Sequence, residues 1–351
     1  MAGTYLYAVI PGTERTVFPG AGVDDRGAVS TVPHRGLAAV VSASPRADYH
    51  GLPRDEAVRY LLTHQRVVER VMETTPLLPV KFGTVLPDEA HVRAFLERGE
   101  SLFRANLDKF TGLQQLEIVV LWNLEEIFPA IGAEAPIARL KAELAGRPAE
   151  ETKAERVRVG QLVQASLERR LLALRARLLP ALREGARDLV VNPVLHESVV
   201  ANVALLVDAA QREALERRLE QLDRDFGGRL YFRCVGPLPP YSFATVEAQV
   251  PSFAAVEAAR RSLGLGEAVT ATEIKRGYRR VARQAHPDVN RGQPEAEAQM
   301  AELTRAYDFL SNYADSQGQE ADKAQQVVCR LDRPSVERTV LVAVRRQERA
   351  A

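Results

Sequence analysis

Apolar positions recur along the chain at two spacings, and the spacing separates strands from helices. Residues 5–10 (Tyr-Leu-Tyr-Ala-Val-Ile) are aromatic and β-branched, which predicts a strand ended by Pro11-Gly12. Residues 11–27 are rich in Gly and Pro and read as loop. Residues 28–32 and 37–42 then predict a hairpin around His34-Arg35-Gly36. Over 54–72 the pattern changes to that of a helix, with Val58, Leu61, Leu62, Gln65, Val68 and Met72 on one side. Residues 77–82 predict a strand stopped by Gly83. Helices over 88–97 and 100–111 and a strand over 116–122 follow. This order predicts a first α+β domain over residues 1–123, ferredoxin-like, with an antiparallel sheet covered by helices on one face.

The next stretch, 124–250, reads as a second α+β domain with a long helix. Over 150–179, Val159, Val163, Leu167, Leu171, Leu174 and Leu178 recur at three and four residues, and Leu182 continues the series. Pro180 is expected to kink or end that helix, because it has no N–H to donate. Strand, helix and strand follow over 199–208, 209–222 and 229–236. Near the C-terminus, 316–351 predicts a linker and a β-hairpin, with strands over 326–331 and 339–345 joined through Arg333-Pro334-Ser335. A lone hairpin is marginal in water, so this one is expected to add to the edge of an existing sheet.

Between these parts, residues 251–315 carry the densest set of agreeing signals. Thr270 and Glu273 have the spacing of a capping box. Behind them Ile274, Tyr278, Val281 and Ala285 form one apolar stripe. Lys275, Arg276, Arg279, Arg280 and Arg283 occupy the rest of the cylinder, and the four arginines share one face. The helix is expected to stop at His286, because Pro287 biases the residue before it away from the α region. Asp288 to Gly292 reads as loop. A second helix then places Met300, Leu303, Tyr307 and Leu310 on one side, where they can pack on Ile274, Tyr278 and Val281. A short helix over 253–263 precedes the pair.

Leu263-Gly264-Leu265, Tyr278-Arg279, Ala285-His286-Pro287-Asp288 and Ala306-Tyr307-x-x-Leu310-Ser311 together resemble the J-domain of DnaJ/Hsp40 co-chaperones over about 253–313. The resemblance implies a helical hairpin. It also implies that His286, Pro287 and Asp288, with Lys275, Arg276, Arg279, Arg280 and Arg283, engage a DnaK-type Hsp70 and stimulate its ATP hydrolysis. The aromatic opening usual in the first J-domain helix is replaced here by Val256-Glu257-Ala258-Ala259-Arg260.

Composition adds limits. At 351 residues the chain is long enough for two or three domains, and 46% apolar with 26% charged residues suits a globular protein. The net charge of +1 gives no reason to expect nucleic acid as a partner. Two cysteines without a CxxC spacing argue against a disulfide framework or a structural zinc site, and fit a reducing cytoplasm. No signal peptide or membrane span is expected. No glycine-rich phosphate cradle occurs, and His34, His50, His64, His91 and His196 do not pair at metal spacing. His64 reads as a surface residue. We therefore expect no cofactor, no metal and no enzymatic activity.

Three further segments resemble the gas vesicle GvpL/GvpF family over about 3–246. They are Tyr5-Leu6-Tyr7-Ala8-Val9, Pro79-Val80-Lys81-Phe82-Gly83-Thr84-Val85, and Val235-Gly236-Pro237-Leu238-Pro239-Pro240-Tyr241-Ser242-Phe243. Read as residues alone, the second is a strand ending in a glycine turn, and the third is a stiff segment that lays Tyr241 and Phe243 onto the preceding domain. The resemblance implies an accessory protein of gas vesicle assembly, cytoplasmic or at the vesicle. Its partners would be the hydrophobic shell protein, other vesicle accessory proteins and, through the appended J-like module, Hsp70. Two alternatives remain. One is a structural vesicle component whose J-like domain only docks proteins. The other is a general Hsp40, which the lack of a Gly/Phe-rich linker and of a zinc-binding region disfavours.

Overall fold

The computed structural model describes residues 3–23, 25, 27–49, 51–194, 196–286, 296–318 and 328–347. These fall into two compact units, one of residues 1–111 with 244–345, the other of 112–243 with 346–351.

The first unit opens with four strands, β1 (Gly3–Pro11), β2 (Val17–Ala21), β3 (Ala28–His34) and β4 (Leu37–Ser44). Helix α1 (Arg54–Met72), the short strands β5 (Leu78–Pro79) and β6 (Val85–Leu86), and helices α2 (Glu89–Arg98) and α3 (Glu100–Phe110) follow. The sheet order is β2-β3-β4-β1-β5, with β6 also on β1, and its pairs are antiparallel. Tyr5 to Ile10 are all buried, so β1 is covered on both of its faces and not on one as expected.

Helix α1 differs from its sequence reading. It buries Tyr60, Thr63, His64, Val67, Val68 and Val71. Val58, Leu61 and Leu62, expected on one side with Val68, remain 46%, 45% and 51% exposed, while Val68 is buried. The reason lies on β1. Tyr5 Oη is 3.0 Å from His64 Nδ1, and the Tyr7 ring stacks on the imidazole at 5.6 Å. Tyr5 Oη also accepts the Gly83 N–H at 3.0 Å, where the chain turns with φ +81°. His64 is thus 1% exposed inside an aromatic cluster, not a surface residue.

The second unit runs β7 (Leu113–Trp122), α4 (Leu124–Gly132), α5 (Ala135–Leu144), α6 (Lys153–Arg183), β8 (Asp188–Val191), β9 (Val199–Asp208), α7 (Arg212–Asp225) and β10 (Leu230–Leu238). Its strands are all antiparallel in the order β10-β7-β9-β8. That is the split βαββαβ arrangement of ferredoxin-like folds. The ferredoxin-like order therefore falls in this unit, and the strand over 116–122, read as part of the first domain, is an inner strand here. Helix α6 continues through Pro180 for nearly one more turn, because Leu178 and Leu182 on either side of it are both buried in the core. The Pro239–Phe243 ending is pinned by Gln115 on β7. Gln115 Oε1 accepts the Ser242 N–H at 2.9 Å, and its amide nitrogen donates to Ser242 Oγ at 3.2 Å.

The chain then re-enters the first unit through β11 (Thr245–Gln249), α8 (Phe253–Ser262), β12 (Ala268–Thr270), α9 (Ala271–Ala285), α10 (Ala296–Gly318), β13 (Val328–Arg330), α11 (Arg333–Glu337) and β14 (Leu341–Arg345). The expected C-terminal hairpin opens into two separate pairings, β13 with β12 and β14 with β11. Residues 333–337 form a helix instead of a turn. Asp332 caps it by accepting the Ser335 N–H at 3.1 Å, Pro334 suits its first turn, and Val336 buries in the core of the helical module. Strand β11 joins the first sheet through a parallel bridge from Val246 to Val80, with the Lys81 N–H donating to Val246 O at 2.8 Å. β14 thus reaches the first sheet only through β11 and this bridge, while β12 and β13 form a two-stranded sheet of their own.

Candidate functional site

The helical module is held by one apolar cluster. Val256, Ala259 and Leu263 of the α8 segment meet Ile274 and Ala285 of α9 and Leu303, Ala306 and Leu310 of α10. Tyr278 stacks on Tyr307 at 4.5 Å, and its hydroxyl lies 3.2 Å from Thr304 Oγ1. The capping box is formed at the start of α9. Thr270 Oγ1 accepts the Glu273 N–H at 3.2 Å, and the Glu273 carboxylate accepts the Thr270 N–H at 2.8 Å. The Thr270 backbone N–H, and after it the Thr270 hydroxyl, which donates to the same carboxylate at 3.0 Å, hold the Glu273 carboxyl below its usual range. Helix α9 stops at Ala285, and His286 takes an extended conformation, as Pro287 demands.

Packing one face of α9 leaves the other in water. Lys275, Arg276, Arg279, Arg280, Arg283 and His286 are all exposed. They differ in how far each is committed. Arg276 pairs with Glu273 at 3.6 Å. Arg280 donates to the carbonyls of Leu263 and Gly264, each at 3.1 Å, and so closes the C-terminal end of α8. Lys275, Arg279 and Arg283 have no carboxylate partner among the described residues. The face thus presents three unpaired cations on one side of a rigid helix, next to His286. Pro287 and Asp288, which the sequence places beside them, lie outside the described residues.

Two features of this site were not visible in the sequence. The first is a clamp on the Leu263–Leu265 turn. Arg260 is gripped by both Glu257 oxygens at 2.7 and 2.8 Å and donates to Leu265 O at 2.7 Å, while Arg280 holds the turn from the other side. The Arg260 hydrogen bonds hold the Glu257 carboxyl down to about 2. The second is the base of the module. The Arg333 guanidinium lies 4.5 Å from the Phe253 ring centroid, and Val336 fills the core beside α8. His91 of α2 reaches the same region, with Nδ1 2.8 Å from Asp88 Oδ1 and Nε2 2.9 Å from Glu337 O.

Lys81, in the Pro-Val-Lys-Phe-Gly segment, pairs with Glu247 at 2.8 Å. Its visible role is to tie β11 beside that turn. Among the described residues no group of His, Cys, Asp and Glu could hold a metal ion, and no helix is long and apolar enough to cross a membrane.

Comparison with known proteins assigns both parts. The family described as gas vesicle synthesis protein GvpL/GvpF matches residues 3–245, and the DnaJ domain matches 261–317. The chain is 25% identical over 246 residues to gas vesicle protein F of Microcystis aeruginosa, covering 69% of this chain and 98% of that protein. It is 24% identical to gas vesicle protein F of Dolichospermum flosaquae, again over 69% of this chain and 98% of that one. Over 50 residues it is 50% identical to the chaperone protein DnaJ of Desulfitobacterium hafniense, which is 14% of this chain and 13% of that chaperone. The crystal structure of GvpF from Microcystis aeruginosa superposes with a TM-score of 0.53 at 25% identity, over 68% of this chain and 98% of that one. That of GvpF from Anabaena shares the fold, with a TM-score of 0.57 at 22% identity over 69% of this chain and 98% of that one.

Proposed function

The chain belongs to the gas vesicle synthesis family GvpL/GvpF and carries a DnaJ domain, and on that premise we propose that it is an assembly factor that brings an Hsp70 to the vesicle shell protein. The family part holds the hydrophobic shell protein in a state competent for assembly. The J-domain recruits the Hsp70 through His286, Pro287, Asp288 and the basic face of α9. The protein acts in the cytoplasm, at the growing vesicle.

The observation that carries this reading is the uncommitted charge of Lys275, Arg279 and Arg283 beside His286. Cations that find no internal partner steer the helix toward an acidic surface. Two further features support it. Helix α1 offers Val58, Leu61 and Leu62 to an apolar client. Pairing β11 with β14 holds the J-domain on the sheet without a flexible tether, which raises the local concentration of recruiter at client. One observation favours a second reading, a J-domain that only docks proteins. Arg280 is used internally to cap α8, which leaves the basic face with fewer cations for a partner.

The test is the steady-state ATPase rate of the host's own Hsp70 with this chain and with His286→Gln, each with and without the shell protein. Stimulation by the parent that the variant loses supports recruitment. No stimulation by either, with the chain folded and the shell protein bound, leaves the docking reading. Shell protein that binds Leu61→Glu/Leu62→Glu as well as the parent removes α1 from the client surface.

A further inference from the structure

The second unit holds a cavity of about 480 Å³ between α6, the C-terminal end of α7 and the first residues of β10. Its floor is apolar, made by Trp122, Leu174, Phe226 and Leu230, and Arg177 and Arg229 stand at its rim. Neither arginine has a carboxylate partner among the described residues, although many exposed arginines of this chain do. The Arg177 guanidinium is 4.8 Å from the Phe226 ring centroid, which holds the charge in place at the edge of the apolar floor. The other ionic groups of the lining are already engaged. Arg170 is bound to Glu134 at 2.8 Å, and Asp225 accepts the Gln221 amide at 2.8 Å. The carbonyls at the end of α7 are also used, since the N–H groups of Gly227 and Gly228 donate to Arg224 O and Asp223 O at 2.9 Å.

The cavity is lined by the first residue of an edge strand, Leu230 of β10, and by Arg229 before it. β10 is the outermost strand on its side of the sheet, and among the described residues no strand pairs with its outer side. Tyr231 on it is 69% exposed. The strand has no acidic residue, and Arg229 just before it and Arg233 on it have no carboxylate partner among the described residues. An unpaired edge gives main-chain hydrogen bonds to an added strand, and a neighbouring pocket takes one of its alternate side chains.

We propose that the β10 edge binds an extended acidic segment of a partner protein, with one apolar side chain in the Trp122–Phe226 cavity and flanking carboxylates on Arg177, Arg229 and Arg233. The inference does not depend on the J-domain. Charged side chains on an edge also deter unwanted pairing between sheets, and the experiment separates the two roles.

Trp122 is the only tryptophan of the chain, so its emission reports directly on the cavity. The probe is a short peptide of alternating leucine and glutamate titrated into the full chain, with leucine–glutamine and leucine–lysine peptides as controls. A saturable change with the acidic peptide is expected, with β10 amides exchanging more slowly in its presence. Affinity should fall about tenfold in Arg177→Gln/Arg229→Gln, since a desolvated charge pair is lost at each position. Equal binding of the leucine–glutamine peptide, unchanged binding by the double variant, or no added protection of β10 would overturn the proposal.

Discussion

Gly277 sits on the buried face of α9, one turn before Arg280, and replacing it with Ala sets two effects against each other. In an exposed helix the change stabilises by about 1 kcal/mol, because glycine loses more backbone freedom on folding. Here a Cβ would lie 2.8 Å from Leu265 Cδ2 and 3.0 Å from Leu263 O. The leucine side chain can yield. The carbonyl cannot move freely, because it accepts the Arg280 guanidinium at 3.1 Å, and the Leu263 N–H is bonded to Ala259 O at 3.1 Å. Overpacking of this kind costs ~1–3 kcal/mol. The gain from propensity offsets part of that, so Gly277→Ala should lose ~1 kcal/mol. Two units make a single unfolding curve ambiguous, and the quantity to measure is the opening free energy of α9 amides by native-state hydrogen exchange. Gly160→Ala is the internal control. It lies in α6 with nothing within 4 Å of its Cβ position, and should gain ~1 kcal/mol in α6. A gain of similar size in α9 for Gly277→Ala would refute the steric argument, and with it the close fit of α9 on the Leu263–Leu265 turn.

Three other outcomes follow from the same structure. Burial lowers the His64 pKa from 6.5 to about 4 against a smaller pull from the Val80 backbone, so the unfolded chain binds the proton more readily. Stability of the first unit should therefore fall as pH drops from 6.5 toward 4, by up to ~3 kcal/mol, and acid titration of His64→Phe should lack that slope. His91 shows the opposite sign. Burial opposes its charge, but the Asp88 carboxylate and the Glu337 carbonyl outweigh it and raise the pKa. Both ring nitrogens face acceptors, which needs the doubly protonated form. Protection of α11 amides should be full below about pH 6.5 and fall as pH rises through the raised value, a dependence that His91→Ala abolishes. In the second unit, Gln115→Leu leaves the Ser242 N–H without its acceptor inside the core. It should cost ~1–3 kcal/mol and speed exchange at Ser242.

Local features were the most legible in the sequence. The capping box at Thr270 and Glu273, the stop at His286 and the stripe through Ile274 are set by neighbours within a few residues, and the structure has each of them. What escaped was decided by distant partners. The inward face of α1 could not be read from hydropathy, because His64 outranks Leu61 and Leu62 there only through Tyr5 and Tyr7, far back on β1. Strand 116–122 was correct as a strand, but its pairing with Val199–Asp208 and Leu230–Leu238 depends on chain that returns much later. In the same way, two alternating segments near the C-terminus suggested each other as partners, and Asp332, Pro334 and Val336 made a helix between them. At the candidate site the shared face of the basic residues could be read from spacing, and the part given to His286 came from the resemblance to J-domains. The internal duty of Arg280 was not, since its acceptors are backbone carbonyls that leave no mark in side-chain pattern.

The pairing of Gln249 with Leu341 brings together the points where the J-domain leaves the sheet and where the chain returns to it. Everything between them is a loop closed at its base. The entropy of closing such a loop grows only with the logarithm of its length, by ~0.6 kcal/mol for each doubling. A cassette seated this way can be lengthened, shortened or exchanged for another with little penalty to the host sheet. The same closure suits a DnaJ domain carried beside a GvpL/GvpF-family part, with β11 and β14 as its socket.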